Sequence, residues 1–323
     1  MVLRQGDIEA GGEIVVMEAG ASQDTILHEE LREIFRRADM ADLPAMSGNV
    51  RELLSLAGSA RSAANDLAEV ILRDYSLTNK VLRVVNSAYY GMTKPVNNVT
   101  RAVTIIGFDT VREIAGAIAL FEDFVDAGVD RDGVAKVLTR SLLSGIQAKL
   151  LVADKGFKVE SEEAFICALL HNFGQIMVQV YLPDLYQAIN ERVSKSFSIE
   201  AAAREKLNGL SFQEVGKEMA RLWNLSPRLI AAMTPYPPVP SGPRDSRAYL
   251  QNLAAFTNAL TGKICNGESL VGLLKEYKEV LGVDRGGAVA LVKKSVELAE
   301  EFSGTIRSGL QKLKIHHRLA KFK

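Results

Sequence analysis

The chain of 323 residues carries 39 basic and 39 acidic side chains, with 47% hydrophobic and 24% charged residues. That balance suits one or two packed units sharing a large core, and a formal net charge of zero removes any global attraction to nucleic acid or an anionic membrane. No apolar run reaches membrane-spanning length, the N-terminus lacks a signal-peptide apolar stretch, and the two cysteines have no CxxC spacing, so a reducing cytoplasm is the expected compartment.

Residues 1–23 mix glycines and acids without a sustained period and read as a loosely held arm. From Asp24 onward the pattern is helical with no convincing strand alternation, so the expected fold is all-α. Ser76 is an N-cap candidate for a helix over 77–90, with Leu77, Val81, Val84, Val85 and Ala88 on one face and Gly91 as its stop. Asn98 is placed to cap a short helix carrying Val99, Val103 and Ile106, which Gly107 ends. Asp109 is placed to cap the next, with Val111, Ile114, Ala115 and Ile118 facing inward. This helix–Gly107–helix unit has a helix-turn-helix outline. Its second helix turns apolar after Thr110, Arg112 and Glu113, however, and reads as buried rather than as a recognition helix.

Residues 123–133, rich in Asp and Gly, read as a linker. Helical pattern resumes over 134–152, 162–180, 185–194, 199–207 and 212–223. Five prolines within 235–243 exclude a regular helix there, and the pattern returns over 247–260 and through the C-terminal third. The expected organisation is an arm at 1–23, an N-terminal helical subdomain at 24–125 packed on a second helical subdomain at 133–300, and a basic C-terminal helix or tail at 301–323. From Arg307 to Lys323 the tail carries Arg307, Lys312, Lys314, Arg318, Lys321 and Lys323 without acids. Ile306, Leu310 and Leu313 still give it one apolar stripe, so it reads as a solvated terminal helix.

Two stretches carry a family resemblance. The first holds Leu43-Pro44-Ala45-Met46, Asp74-Tyr75-Ser76-Leu77, Asn86-Ser87-Ala88-Tyr89-Tyr90-Gly91 and Ile106-Gly107-Phe108 in that order. The second holds His171-Asn172 and Tyr181-Leu182-Pro183-Asp184-Leu185-Tyr186. Together they resemble the HDOD family, the HD-related output domains of bacterial signalling proteins, a degenerate branch of the HD phosphohydrolases. The resemblance spans roughly 31–260.

An active HD site needs a first histidine, a His-Asp pair and a late aspartate, which together hold one or two metals that polarise phosphate and generate hydroxide. The resemblance places these positions on Arg140, on His171-Asn172 and near Asn258, with Tyr236 where some relatives keep a further histidine. One ligand of four survives. An amide is a poor ligand for a hard divalent cation, and a guanidinium repels one. The resemblance therefore implies a non-catalytic signalling protein acting by protein–protein contact, with no metal or other cofactor and with signalling proteins of unknown identity as partners. The remaining readings are a residual phosphohydrolase acting on nucleotides or cyclic dinucleotides, and a nucleotide- or RNA-binding adaptor.

Individual residues keep alternatives open. His171 is either a pocket residue or a hydrogen-bonded structural histidine in an apolar helix. Arg140 and Asn172 either form a remnant site for a small anion, or Arg140 pairs with a local acid such as Glu163. Asn86, Ser87, Tyr89, Tyr90 and Gly91 read as a structural corner in which polar side chains bond backbone groups.

Overall fold

The computed structural model describes residues 30–321 except 35, 37–47, 57–60, 87–89, 91–94, 129, 156–158, 194–197, 224, 243 and 301–303. Every regular element among the described residues is a helix. The expected arm at 1–23 lies outside them, as do Ser87, Tyr89, Gly91 and Lys323.

The N-terminal group comprises α1 (Gly48–Ser55), α2 (Arg61–Leu72), α3 (Tyr75–Val85), α4 (Val99–Ile106) and α5 (Phe108–Ala127). Helix α3 starts earlier and stops earlier than its apolar spacing predicts. Asp74, not Ser76, caps it, its carboxylate accepting from the Leu77 N–H at 3.0 Å. Asn86, not Gly91, ends it. The Asn86 amide donates to the carbonyls of Leu82 and Val96 at 2.9 and 2.7 Å and accepts from the Val96 N–H at 2.7 Å. It thereby ties the backbone at Val96 back onto α3.

Asn98 does cap α4, accepting from the Arg101 N–H, and Gly107 ends it at φ +92°, a conformation open to glycine and costly for other residues. Helix α5 then begins at Phe108 without a side-chain cap, and Asp109 sits in its first turn, paired with Arg112 at 3.0 Å. Val111, Ile114, Ala115 and Ile118 are buried as expected, and Glu113 is buried as well, so α5 offers no recognition face.

The linker expected at 123–133 is mostly helix. Helix α5 runs on to Ala127 because Phe124 is a core residue, stacked on Trp223 with ring centroids 6.2 Å apart. Burying an aromatic ring outweighs the loop-like composition of its neighbours. The break is short, and Asp130 accepts from the Gly133 N–H to start α6 (Arg131–Lys155).

Helix α6 is the centre of the second group. It packs against α5, against α7 (Ser161–Leu169) and α8 (Phe173–Tyr181), and against α13 (Ser246–Asn266), α16 (Arg285–Ala299) and α17 (Gly304–Lys312). Around these lie α9 (Pro183–Val193), α10 (Ile199–Lys206), α11 (Phe212–Leu222), α12 (Pro227–Ala232), α14 (Val271–Glu276), α15 (Lys278–Leu281) and α18 (Ile315–Ala320). Phe124, Phe173 and Trp223 form one aromatic cluster that joins α5, α8 and the end of α11. No single described helix is long and apolar enough to cross a membrane.

The C-terminal segment is part of the packed body. Ile306, Leu310, Leu313, Ile315 and Leu319 are buried, and Gly309 lies so close to Thr139 that α17 crosses α6 without room for a side chain. Lys312 pairs with Asp132, and His316 with Glu300 at 3.1 Å.

Candidate functional site

The sequence pattern over 162–180 predicts one helix, and the structure shows two. Helices α7 and α8 meet at Leu170-His171-Asn172 with a bend of 43°. The break leaves the apolar pattern intact, because its flanks are buried on both sides. Asn is a weak helix former that favours helix starts, and Asn172 stands at the N-cap of α8. Its side chain does not cap that helix. It reaches across to α13 instead.

That cross-link has a defined polarity. The Asn258 amide nitrogen donates to the carbonyls of Ala168 and Ala254, both at 2.8 Å. Two carbonyl acceptors fix which end of the amide is nitrogen, so the Asn258 oxygen is left to accept, and it accepts from the Asn172 amide at 3.0 Å. That bond uses one Asn172 N–H and leaves its second N–H and its oxygen outside the pair.

His171 is fixed by similar logic. Its Nδ1 lies 2.7 Å from the Ala232 carbonyl, an acceptor, so Nδ1 carries the hydrogen. Burial pushes its pKa from 6.5 down to about 4, with the Ala232 bond opposing the fall and the Lys217 charge adding to it. At neutral pH the ring is uncharged and Nε2 presents a lone pair. His171 is thus anchored through Nδ1 on the Ala232 carbonyl.

A pH prediction follows from this residue. The unfolded chain takes up a proton below about pH 6.5 that the folded ring refuses. The His171 contribution to stability is thus intact above pH 6.5 and is lost as pH falls toward 4, by up to about 3 kcal/mol. Urea denaturation of the native chain and of His171→Gln at pH 7 and pH 4.5 checks it. The native chain is expected to lose more stability over this interval than the variant, and equal losses would refute the assignment.

His171, Asn172 and Asn258 line an open pocket of about 510 Å³, with Pro235 and Tyr236 on one wall. The proline segment is held in place by Asn252, whose amide donates to the Pro238 carbonyl at 2.8 Å. The far wall comes from Lys263, Glu276 and Tyr277. These three carried no motif in the sequence. The one signal is for Lys263, which shares a face of α13 at helical spacing with Ala255, Asn258 and Ala259; Glu276 and Tyr277 had none.

Arg140 does not join this group. It meets α13 at its C-terminal end, about two turns beyond Asn258, where its guanidinium donates to the Asn266 side chain at 3.4 Å and sits beside Cys265. One turn further along α6, Ser144 bonds the Thr257 carbonyl and the Thr261 hydroxyl, so successive turns of α6 run along α13 with Arg140 at the far end from Asn258. The expected Arg140–Asn172 anion remnant is therefore not assembled. Glu163 pairs with Arg228 at 2.5 Å, not with Arg140.

The pocket is also a poor fit for a divalent metal. Asn172 and Asn258 spend their facing amide groups on each other, and a neutral amide gives a hard cation little. Among the described residues no group of three or more His, Cys, Asp or Glu is placed to hold a metal. Cys167 and Cys265 are buried, unpaired thiols, and burial pushes Cys167 up to about 12.

The HDOD domain family model matches residues 43–236, more than half of the chain. This chain belongs to the HDOD family. A solved HDOD domain protein of unknown function from Geobacter sulfurreducens superposes with a TM-score of 0.63 at 18% identity, covering 92% of this chain and 97% of its own. A candidate phosphohydrolase from Shewanella amazonensis SB2B gives 0.59 at 22% identity, covering 87% and 97%. A candidate signal transduction protein from Marinobacter aquaeolei VT8 gives 0.55 at 19%, covering 90% and 66%. An uncharacterized protein of Treponema pallidum (strain Nichols) is 21% identical over 228 residues, 71% of this chain and 44% of that protein, so this HDOD chain spans less than half the length of that relative. At such identities the structural neighbours share the all-helical HDOD fold.

Proposed function

We propose that this HDOD chain is a bacterial, cytoplasmic regulator that works through protein–protein contact and has given up phosphate hydrolysis. The observation that carries the reading is the Asn172–Asn258 amide pair, which occupies two positions where the HD resemblance calls for carboxylates. Without carboxylates, metal-activated water has no support from these residues. The buried, unpaired cysteines support a reducing compartment.

A second reading, a residual phosphohydrolase acting on nucleotides or cyclic dinucleotides, is favoured by one feature. His171 and Glu276 both line the same open pocket. The test is hydrolysis of bis-p-nitrophenyl phosphate and of nucleotides in the presence of manganese, iron or magnesium. The native chain is expected to match His171→Ala at background. Turnover that disappears in His171→Ala would replace the regulatory reading with the hydrolase one.

A further inference from the structure

We propose that the pocket beneath the proline segment receives an arginine side chain from the partner protein. The inference rests on the regulatory reading above and gives it a partner chemistry.

Two lining residues of the pocket hold acceptors in reserve. The Ala168 and Ala254 carbonyls orient Asn258, Asn258 orients Asn172, and Asn172 keeps its oxygen and one N–H. The Ala232 carbonyl takes the His171 Nδ1 hydrogen, and the Nε2 lone pair is what remains. Two neighbouring residues thus offer an oxygen and a nitrogen acceptor from one corner of the chain, each fixed by backbone groups behind it. A ligand that satisfies both brings two N–H donors. A carboxylate brings none and leaves both acceptors unanswered.

Charge and shape on the walls narrow the class. Glu276 supplies a carboxylate to the far wall. The one lysine lining the pocket, Lys263, is tied to Glu268 at 3.2 Å, which offsets its charge. Tyr236 brings an aromatic ring to the near wall and is 76% exposed. A guanidinium is planar and cationic, carries forked N–H donors and stacks on aromatic faces, whereas an ammonium has no such plane.

The rim points to a protein as the source. Val239, on the proline segment after Tyr236, is 77% exposed, and Val271, beside the lining residue Gly272, is 74% exposed. With Tyr236 they are the three most exposed large hydrophobic residues among the described ones; Tyr236 lines the pocket, and the two valines are close in sequence to its lining residues Tyr236 and Gly272. An apolar rim around a polar floor suits an anchoring side chain with apolar neighbours in its own chain. A free guanidino compound would leave that rim uncovered.

The experiment uses the full chain and calorimetric titration with methylguanidinium, acetyl-arginine methylamide, acetyl-lysine methylamide, an acetyl-Leu-Arg-Leu amide, inorganic phosphate and Mn2+. The arginine probes are expected to bind saturably, and the lysine probe about tenfold more weakly. Glu276→Gln and Asn172→Ala are each expected to weaken binding about fivefold. Glu276 is exposed and outside the amide network, so that variant keeps the test valid should Asn172→Ala lose its fold. The flanked peptide is expected to bind more tightly than methylguanidinium, an advantage lost in Val239→Ser and Val271→Ser. Absent guanidinium binding, equal binding of lysine and arginine, or preference for phosphate would overturn the proposal. Methylguanidinium as tight as the peptide would overturn the protein source. If neither guanidinium nor Mn2+ binds, this inference falls alone, whereas Mn2+ bound in a manner lost with His171→Ala counts against the regulatory reading itself.

Discussion

Gly174→Ala is expected to destabilise the fold by about 3 kcal/mol or more, the upper range for overpacking. A Cβ at Gly174 would fall 2.5 Å from the Gly216 nitrogen and 2.8 Å from the Phe212 carbonyl carbon, and closer still to the Phe212 oxygen. These are backbone atoms of α11, so no side chain can rotate away to make room. Relief requires α8 and α11 to separate, and Phe173 and Trp223, whose rings meet at 5.0 Å, bridge that same interface. Gly216 has the reciprocal constraint, a Cβ there lying 2.6 Å from the Gly174 nitrogen. Urea denaturation measures the effect as a lower midpoint with little change in slope. A midpoint within error of the native chain would show that this helix pair is not packed as described.

Asn258→Asp is expected to cost about 2–4 kcal/mol at neutral pH, from two lost donor bonds and a charge facing carbonyl oxygens. The native amide donates both hydrogens, to Ala168 and Ala254. A carboxylate has none to give. It would also face the two carbonyls with negative charge, so the folded state resists its ionisation and the introduced acid should titrate high. The penalty is therefore largest above that raised pKa and shrinks as the acid is protonated on lowering pH. Thermal or urea unfolding at pH 7 and pH 5 reads both the loss and its direction. An Asp variant as stable as the native chain would mean that position 258 still accommodates a metal-binding carboxylate.

Much of the fold was legible because helices announce themselves through apolar spacing and caps. Asn98 and Gly107 bound α4 as read, since a side-chain cap and a positive-φ glycine act locally. The misreadings share a cause in tertiary contact. Composition over 123–133 suggested a loop, but the burial of Phe124 extends α5 through it. The apolar run over 162–180 suggested one helix, yet it bends at His171-Asn172, because a break within a doubly buried run leaves hydropathy unchanged.

The site was legible in the same uneven way. His171, Asn172, Tyr236 and Asn258 do converge on one pocket. Arg140 does not, because a position inferred by resemblance along α6 fixes the helix but not how far along α13 its side chain lands, and it meets Asn266, about two turns beyond Asn258. Lys263, Glu276 and Tyr277 were invisible, since two of them lie on or beside the short helix α14, which no motif marks.

The regulatory reading stands or falls on whether this pocket holds a metal. The direct measurement is metal content by mass spectrometry after the full chain is incubated with manganese, iron and magnesium and then desalted. The expected result is far less than one equivalent of any of them, unchanged in His171→Ala. One or more equivalents per chain, lost in His171→Ala, would contradict it and return the pocket to hydrolytic chemistry.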